Sequence, residues 1–232
     1  MSMTETDDTD RTRGTDDRDG AERRRARTYA LLGECFHEPT EERLAELAAV
    51  DDDAVDIDVS ALQGAIRDEK ALQIDHAQLF VGPFELAAPP YESVYVDPES
   101  RVMTDATETV QGEYRQAGVD TAIDEPADHI AAELEFVSLL VATELEALEA
   151  GDDEAARHYL DRQYEFLSEH LGRWVSEIAD NMREAAETEF YRVVADETQS
   201  FVEGDGKRLA DRLDRLETAD GDVRAVLGGE KR

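Results

Sequence analysis

The chain has 232 residues, with 24 lysines and arginines against 58 aspartates and glutamates, a formal net charge of −34. That charge repels nucleic-acid phosphates and anionic lipid, and no uninterrupted apolar run nears the ~20 residues of a membrane span, which argues against nucleic-acid partners and stable membrane insertion. The one cysteine, Cys35, excludes an internal disulfide and a cysteine zinc cluster.

Residues 1–20 hold no large apolar side chain besides two methionines and read as a disordered, acidic leader. Arg23-Arg24-Arg25 is no export signal of the chain itself, because no uncharged apolar stretch or cleavage site follows, so a cytoplasmic location is expected. A first helix over residues 22–37 carries Tyr29, Leu32, Gly33 and Phe36 on one face. Pro39 stops it, and Thr40 starts a short second helix with Leu44 and Leu47. A third carries Leu62 and Ile66. A fourth, over residues 69–81, carries Leu72, His76, Leu79 and Phe80.

Gly82-Pro83 ends that helix, and four of the six prolines lie in residues 82–100, which are expected to be extended or turned. Helices resume at residues 104–117. The longest is expected over 126–150, with Ile130, Leu134, Val137 and Val141 in one stripe. Gly151 closes it and Asp152 caps the next, which carries Tyr159, Phe166 and Leu167. Ile178 and Met182 mark a further helix, and Phe190, Val194 and Phe201 another. The expected fold is a single all-α domain of roughly nine or ten helices over residues 21–217, followed by a flexible tail, 218–232.

Only three basic residues are lysines (Lys70, Lys207, Lys231), and acids run through every segment. This is the composition of a protein from a cytosol of molar salt, where screening shortens electrostatic range to about 3 Å. An acidic interaction protein of an ordinary cell is the alternative.

A carboxylate-rich helical chain invites a di-iron reading, which needs Glu-x-x-His on two helices. A single match exists, Glu34-Cys35-Phe36-His37, so no metal site is expected. No nucleophile elbow, P-loop or dinucleotide fingerprint is present. Cys35 reads as a small core residue.

Two passages stand out. Residues 76–95 hold Phe80, Phe84, Tyr91 and Tyr95 together with Leu79, Leu86, Pro89 and Pro90, a concentration of rings in a chain with 6% aromatics. Either these rings complete the core, or they wall an apolar groove suited to a peptide. The second passage, Asp124-Glu125-Pro126-Ala127-Asp128-His129, opens the longest helix. Asp128 there is explained as a first-turn acid complementing the helix dipole. His129 is disfavoured as a cation at that end, which leaves a neutral, hydrogen-bonded imidazole or a ligand-facing one.

Together the passages resemble the TorD/DmsD family of redox-enzyme maturation chaperones. The resemblance rests on Gln78-Leu79-Phe80-Val81-Gly82-Pro83, then Pro89-Pro90-Tyr91-Glu92-Ser93-Val94-Tyr95, then Glu125-Pro126-Ala127-Asp128-His129 through Glu133, and covers about residues 22–205. It implies an all-α chaperone with no catalytic residue and no cofactor of its own. Such a chaperone binds the twin-arginine signal peptide and apo form of a molybdopterin oxidoreductase catalytic subunit, and holds it for cofactor insertion before export. The peptide-binding residues it implies are Leu79, Phe80, Phe84, Pro90, Tyr91, Tyr95, Asp128 and His129. Tyr91, Tyr95 and Phe84 stand where some relatives carry Trp. The implied client is a dimethyl sulfoxide or trimethylamine N-oxide reductase type subunit, and the chaperone a monomer or dimer. A nitrate-reductase-type assembly chaperone is the nearest alternative, and an all-helical enzyme with carboxylate chemistry the alternative from another class.

Overall fold

Apolar side chains surround most of α7 (Ile130–Glu149): Ile130, Leu134, Phe136, Val137, Leu140, Val141 and Leu145 are all buried. A helix of that pattern must be covered on several sides. α1 (Glu5–Glu34) and α8 (Asp153–Glu169) pack along it, α9 (Leu171–Ala185) touches it, and α10 (Glu189–Gly228) packs on α8 and α9. The computed structural model describes residues 5–82, 86–96, 105–118 and 126–228, with side chains for 18–82, 86–96, 106–118 and 126–218. The remaining helices are short: α2 (Glu41–Ala48), α3 (Val59–Ala65), α4 (Glu69–His76), α5 (Glu92–Val96) and α6 (Asp105–Gln116). Among the described residues there are ten α-helices and no strand. One isolated bridge joins Tyr91 and His129.

Local chemistry accounts for many of the boundaries. Thr40, Asp58, Asp68 and Asp152 each accept a backbone N–H from the first turn of α2, α3, α4 and α8. Gly151 adopts a φ of 72° between α7 and α8, a conformation that glycine enters without strain. At Gly33 a Cβ would meet the carbonyl oxygen of Ala131 at 3.3 Å, so the missing side chain lets α1 lie close on α7.

The three consecutive arginines of α1 bind other elements. Arg23 pairs with Glu149 and Arg24 with Asp56. Arg25, buried, donates to Glu22 at 2.8 Å, Asp205 at 2.8 Å and Gln163 at 2.6 Å. Arg208 and Arg212 close on Glu22 from α10, and Arg212 also pairs with Glu144. Burial would push the Glu22 carboxyl up, but the Arg208 hydrogen bond and the charges of Arg25, Arg208 and Arg212 bring it down to about 2.

Three expectations need correction. α7 begins at Ile130 rather than 126, because Pro126–His129 form a turn and His129 is the N-cap. Residues 82–100 are not wholly extended or turned: α5 forms inside them, and its first N–H groups bond to partners more than thirty residues away. Helical backbone also extends into the sequence-defined leader and tail, since α1 starts at Glu5 and α10 runs to Gly228. Composition opposes burial of such residues, whereas a helix satisfies its own backbone without a buried face.

Candidate functional site

α4 continues as a π-helical turn, Ala77–Val81, with Gly82 N–H bonded to Ala77 O. Such turns re-aim side chains and recur at functional sites. Here Leu79 and Phe80 turn into the core while Val81 is 62% exposed. The following chain returns over the π turn, with Ala88 N–H bonded to Leu79 O at 3.0 Å. Pro90 O then accepts from Ile130 N–H at 2.9 Å, which ties this strap to the start of α7.

Between the strap, the π turn and the end of the first-helix segment lies an open cavity of about 460 Å³. Phe36, Phe80, Val81, Leu86 and Tyr91 supply its apolar lining, and His37, His76, His129, Glu38 and Gln73 its polar lining. Phe80 meets Phe36 at 5.6 Å and His76 at 5.3 Å between ring centres. Tyr91 meets His129 edge-on at 5.3 Å.

The three imidazoles differ in protonation. His129 Nδ1 accepts from Ala131 N–H at 3.2 Å, which puts its proton on Nε2, and burial with His37 and His76 nearby lowers it to about 4. His76 Nε2 donates to Phe36 O at 3.1 Å, and burial lowers it too. His37 goes the other way: the hydrogen bond to Glu135, at 3.4 Å, raises it. Two of the lining imidazoles, His76 and His129, are thus held toward the neutral form, and His37 toward the charged one. Glu34, His37 and Glu135 bring ligand atoms within 4.8 Å of one another. A cation already stands there, because Arg43 Nε donates to Glu34 at 3.0 Å.

The structure divides the eight residues implied by resemblance. Phe80, Tyr91 and His129 meet in the cavity. Leu79 and Pro90 are buried beside it. Tyr95, half-buried, stacks on Trp174 at 5.3 Å and 24°. Asp128 is fully buried; its Oδ2 accepts from Ser93 N–H at 3.1 Å and its backbone O from Glu92 N–H at 2.9 Å. It caps α5 from a distance, and α7 starts two residues after it, so the first-turn reading is corrected. Phe84 lies outside the described residues. Sequence reasoning did not place His37 and Phe36 at this site, although the lone Glu-x-x-His match contained both His37 and Phe36.

The all-α fold is shared with a solved protein of the redox-enzyme maturation class. That protein, from Archaeoglobus fulgidus, matches with a TM-score of 0.55, 24% identity, and coverage of 77% of this chain and 93% of that one. The sequence profile described as nitrate reductase delta subunit matches residues 34–180, and the chain belongs to this family, which includes the TorD and DmsD chaperones. The TorD chaperone of Aliivibrio fischeri is 27% identical over 154 residues, covering 66% of this chain and 70% of the relative. The Tat proofreading chaperone DmsD of Salmonella typhimurium is 33% identical over 128 residues, covering 54% of this chain and 56% of the relative. A DmsD chaperone of Haemophilus influenzae is 29% identical over 133 residues, and the match spans 58% of its length. The relatives are named as chaperones rather than enzymes. No helix among the described residues is long and apolar enough to cross a membrane.

Proposed function

We propose that this protein is a cytoplasmic chaperone that binds the twin-arginine signal peptide and the apo form of a molybdopterin oxidoreductase catalytic subunit of dimethyl sulfoxide or trimethylamine N-oxide reductase type. The observation that carries the reading is the open cavity of about 460 Å³ where Phe80, Tyr91 and His129 converge. Its rings can bury the apolar stretch of a leader at about 25 cal/mol per Å². The lining carboxylate Glu38, with Glu135 beside His37, offers acceptors for arginine. Asp128, buried and engaged by Ser93, acts as a support of the strap rather than as an arginine acceptor. The chaperone body is assigned to residues 21–217, and molar salt keeps so acidic a chain folded.

Calorimetry in molar KCl with a synthetic twin-arginine leader tests this. Tyr91→Ala should weaken binding about tenfold or more with helix content unchanged, consistent with losing a half-buried ring. Unchanged affinity in the folded variant overturns the cavity as the binding site. A nitrate-reductase-type assembly chaperone is the second reading, favoured by the description of the matched family. The two readings part on which catalytic subunit co-purifies from the native cytosol.

A further inference from the structure

Three carboxyls and one imidazole are sealed together where α5, α7 and the α8–α9 joint meet. Glu92 is 1% exposed, Asp128 0%, Glu133 0% and His170 5%. Among the described residues no arginine or lysine pairs with these carboxyls, although isolated buried carboxylates are strongly disfavoured.

The hydrogen bonds show where a proton is needed. His170 Nδ1 donates to Glu92 Oε2 at 3.0 Å. Trp174 Nε1 donates to Glu133 Oε2 at 3.2 Å. Glu133 Oε1 is buried and accepts from no donor. As a carboxylate oxygen it would stand buried and unsatisfied; as a hydroxyl it becomes a donor, for which the neighbouring Glu92 carboxyl offers an acceptor.

We propose that Glu133 keeps a proton at neutral pH and through it positions α5, so that losing this proton loosens the adjoining Tyr91 wall of the pocket. The consequence for peptide binding rests on the function proposed above; the positioning of α5 does not. Burial, and then the Glu92 charge, hold the Glu133 carboxyl well above the usual range, which agrees with the geometry.

The groups facing Glu133 come from each element around it. α5 contributes Glu92 and the turn before α7 Asp128, while His170 at the α8–α9 joint joins the cluster through Glu92. α6 contributes Tyr114, whose hydroxyl donates to Ala127 O at 2.8 Å and is itself held up by burial. Ionised Glu133 would place a second carboxylate against Glu92, where among the described residues no arginine or lysine pairs with either, and the short α5 is the element able to move aside. Both supports of α5 from α7's side, Asp128 and Glu133, are then acidic, and one of them depends on a proton.

Glu133→Gln reproduces the protonated form, with one oxygen to accept from Trp174 and one NH₂ to donate to Glu92. The test uses the full chain in molar KCl. An infrared difference spectrum at pH 7, wild type minus Glu133→Gln, should contain the carbonyl band of a protonated carboxylic acid. As pH rises while the protein stays folded, amide hydrogen exchange over residues 91–96, corrected for intrinsic base catalysis, should accelerate about tenfold, a change of roughly 1.4 kcal/mol in opening free energy, in the wild type. Emission of Trp174, the one tryptophan, should change with it. Both should be flat in Glu133→Gln, and His170→Gln should retain the wild-type pH response. A missing infrared band, or equal exchange in wild type and Glu133→Gln, overturns the proposal. If band and exchange behave as stated while leader affinity ignores pH in both proteins, the positioning role stands and the reading of the pocket as a peptide site fails.

Discussion

The Asp128 carboxylate accepts the backbone N–H of Ser93 across 35 positions of sequence, and by this bond the start of α7 holds the start of α5. The neighbouring backbone bonds, Glu92 N–H to Asp128 O and Ile130 N–H to Pro90 O, run in both directions between the segments. Asp75 does the same elsewhere, accepting from Glu187 N–H at 3.1 Å and Thr188 N–H at 2.8 Å just before α10. Two buried aspartates therefore fix helix starts remote in sequence.

Asp128→Ala leaves a buried Ser93 N–H without an acceptor and should lower stability by about 1–3 kcal/mol. Asp128→Asn retains an oxygen and should lose less than Ala. Denaturant midpoints in molar KCl measure both, and an Ala variant as stable as wild type contradicts the capping role.

Phe80 is 4% exposed and contacts Phe36, His76 and Tyr191. Phe80→Ala should destabilise by about 3–5 kcal/mol, whereas the half-buried Tyr91 should lose clearly less on truncation. Paired unfolding curves check the difference. A leader-binding defect of Phe80→Ala counts as recognition only in protein that circular dichroism shows to be folded.

Glu22→Gln removes the acid that three arginines share and should cost about 3–5 kcal/mol, the usual effect of breaking a buried pair. The Glu22 carboxyl is lowered in the fold, so its contribution is present above the ordinary glutamate value and is lost as pH falls toward about 2. Thermal melts between about pH 5 and pH 2 should therefore fall more steeply for wild type than for Glu22→Gln.

Leader affinity should hold steady or rise between about 0.5 and 3 M KCl, since screening leaves only direct contacts and molar salt does not weaken apolar burial. Calorimetry should also show a negative heat-capacity change. A steep fall in affinity, with folding intact, would assign recognition to charge instead of the Phe80–Tyr91 pocket.

The all-α class was legible because periodicity and caps are local signals: the stripe from Ile130 to Val141, the Thr40 and Asp152 caps, the Gly151 stop. The concentration of rings at residues 80–95 marked the site's neighbourhood for the same reason. Which rings face the cavity was not legible. A π turn shifts the register after His76, so helical spacing counted from Leu72 does not give the exposure of Val81.

By itself the sequence determined the helical class, the strongly acidic charge and the segment in which the pocket forms, because each follows from residues adjacent in the chain or from totals over it. Tertiary structure alone decided that Asp128 supports α5 instead of opening α7, that Arg25 is buried among acids from α1 and α10, and that Glu133 meets Glu92. Each of these joins groups many residues apart, where burial makes a partner or a proton obligatory, and no spacing rule along the chain encodes such a meeting.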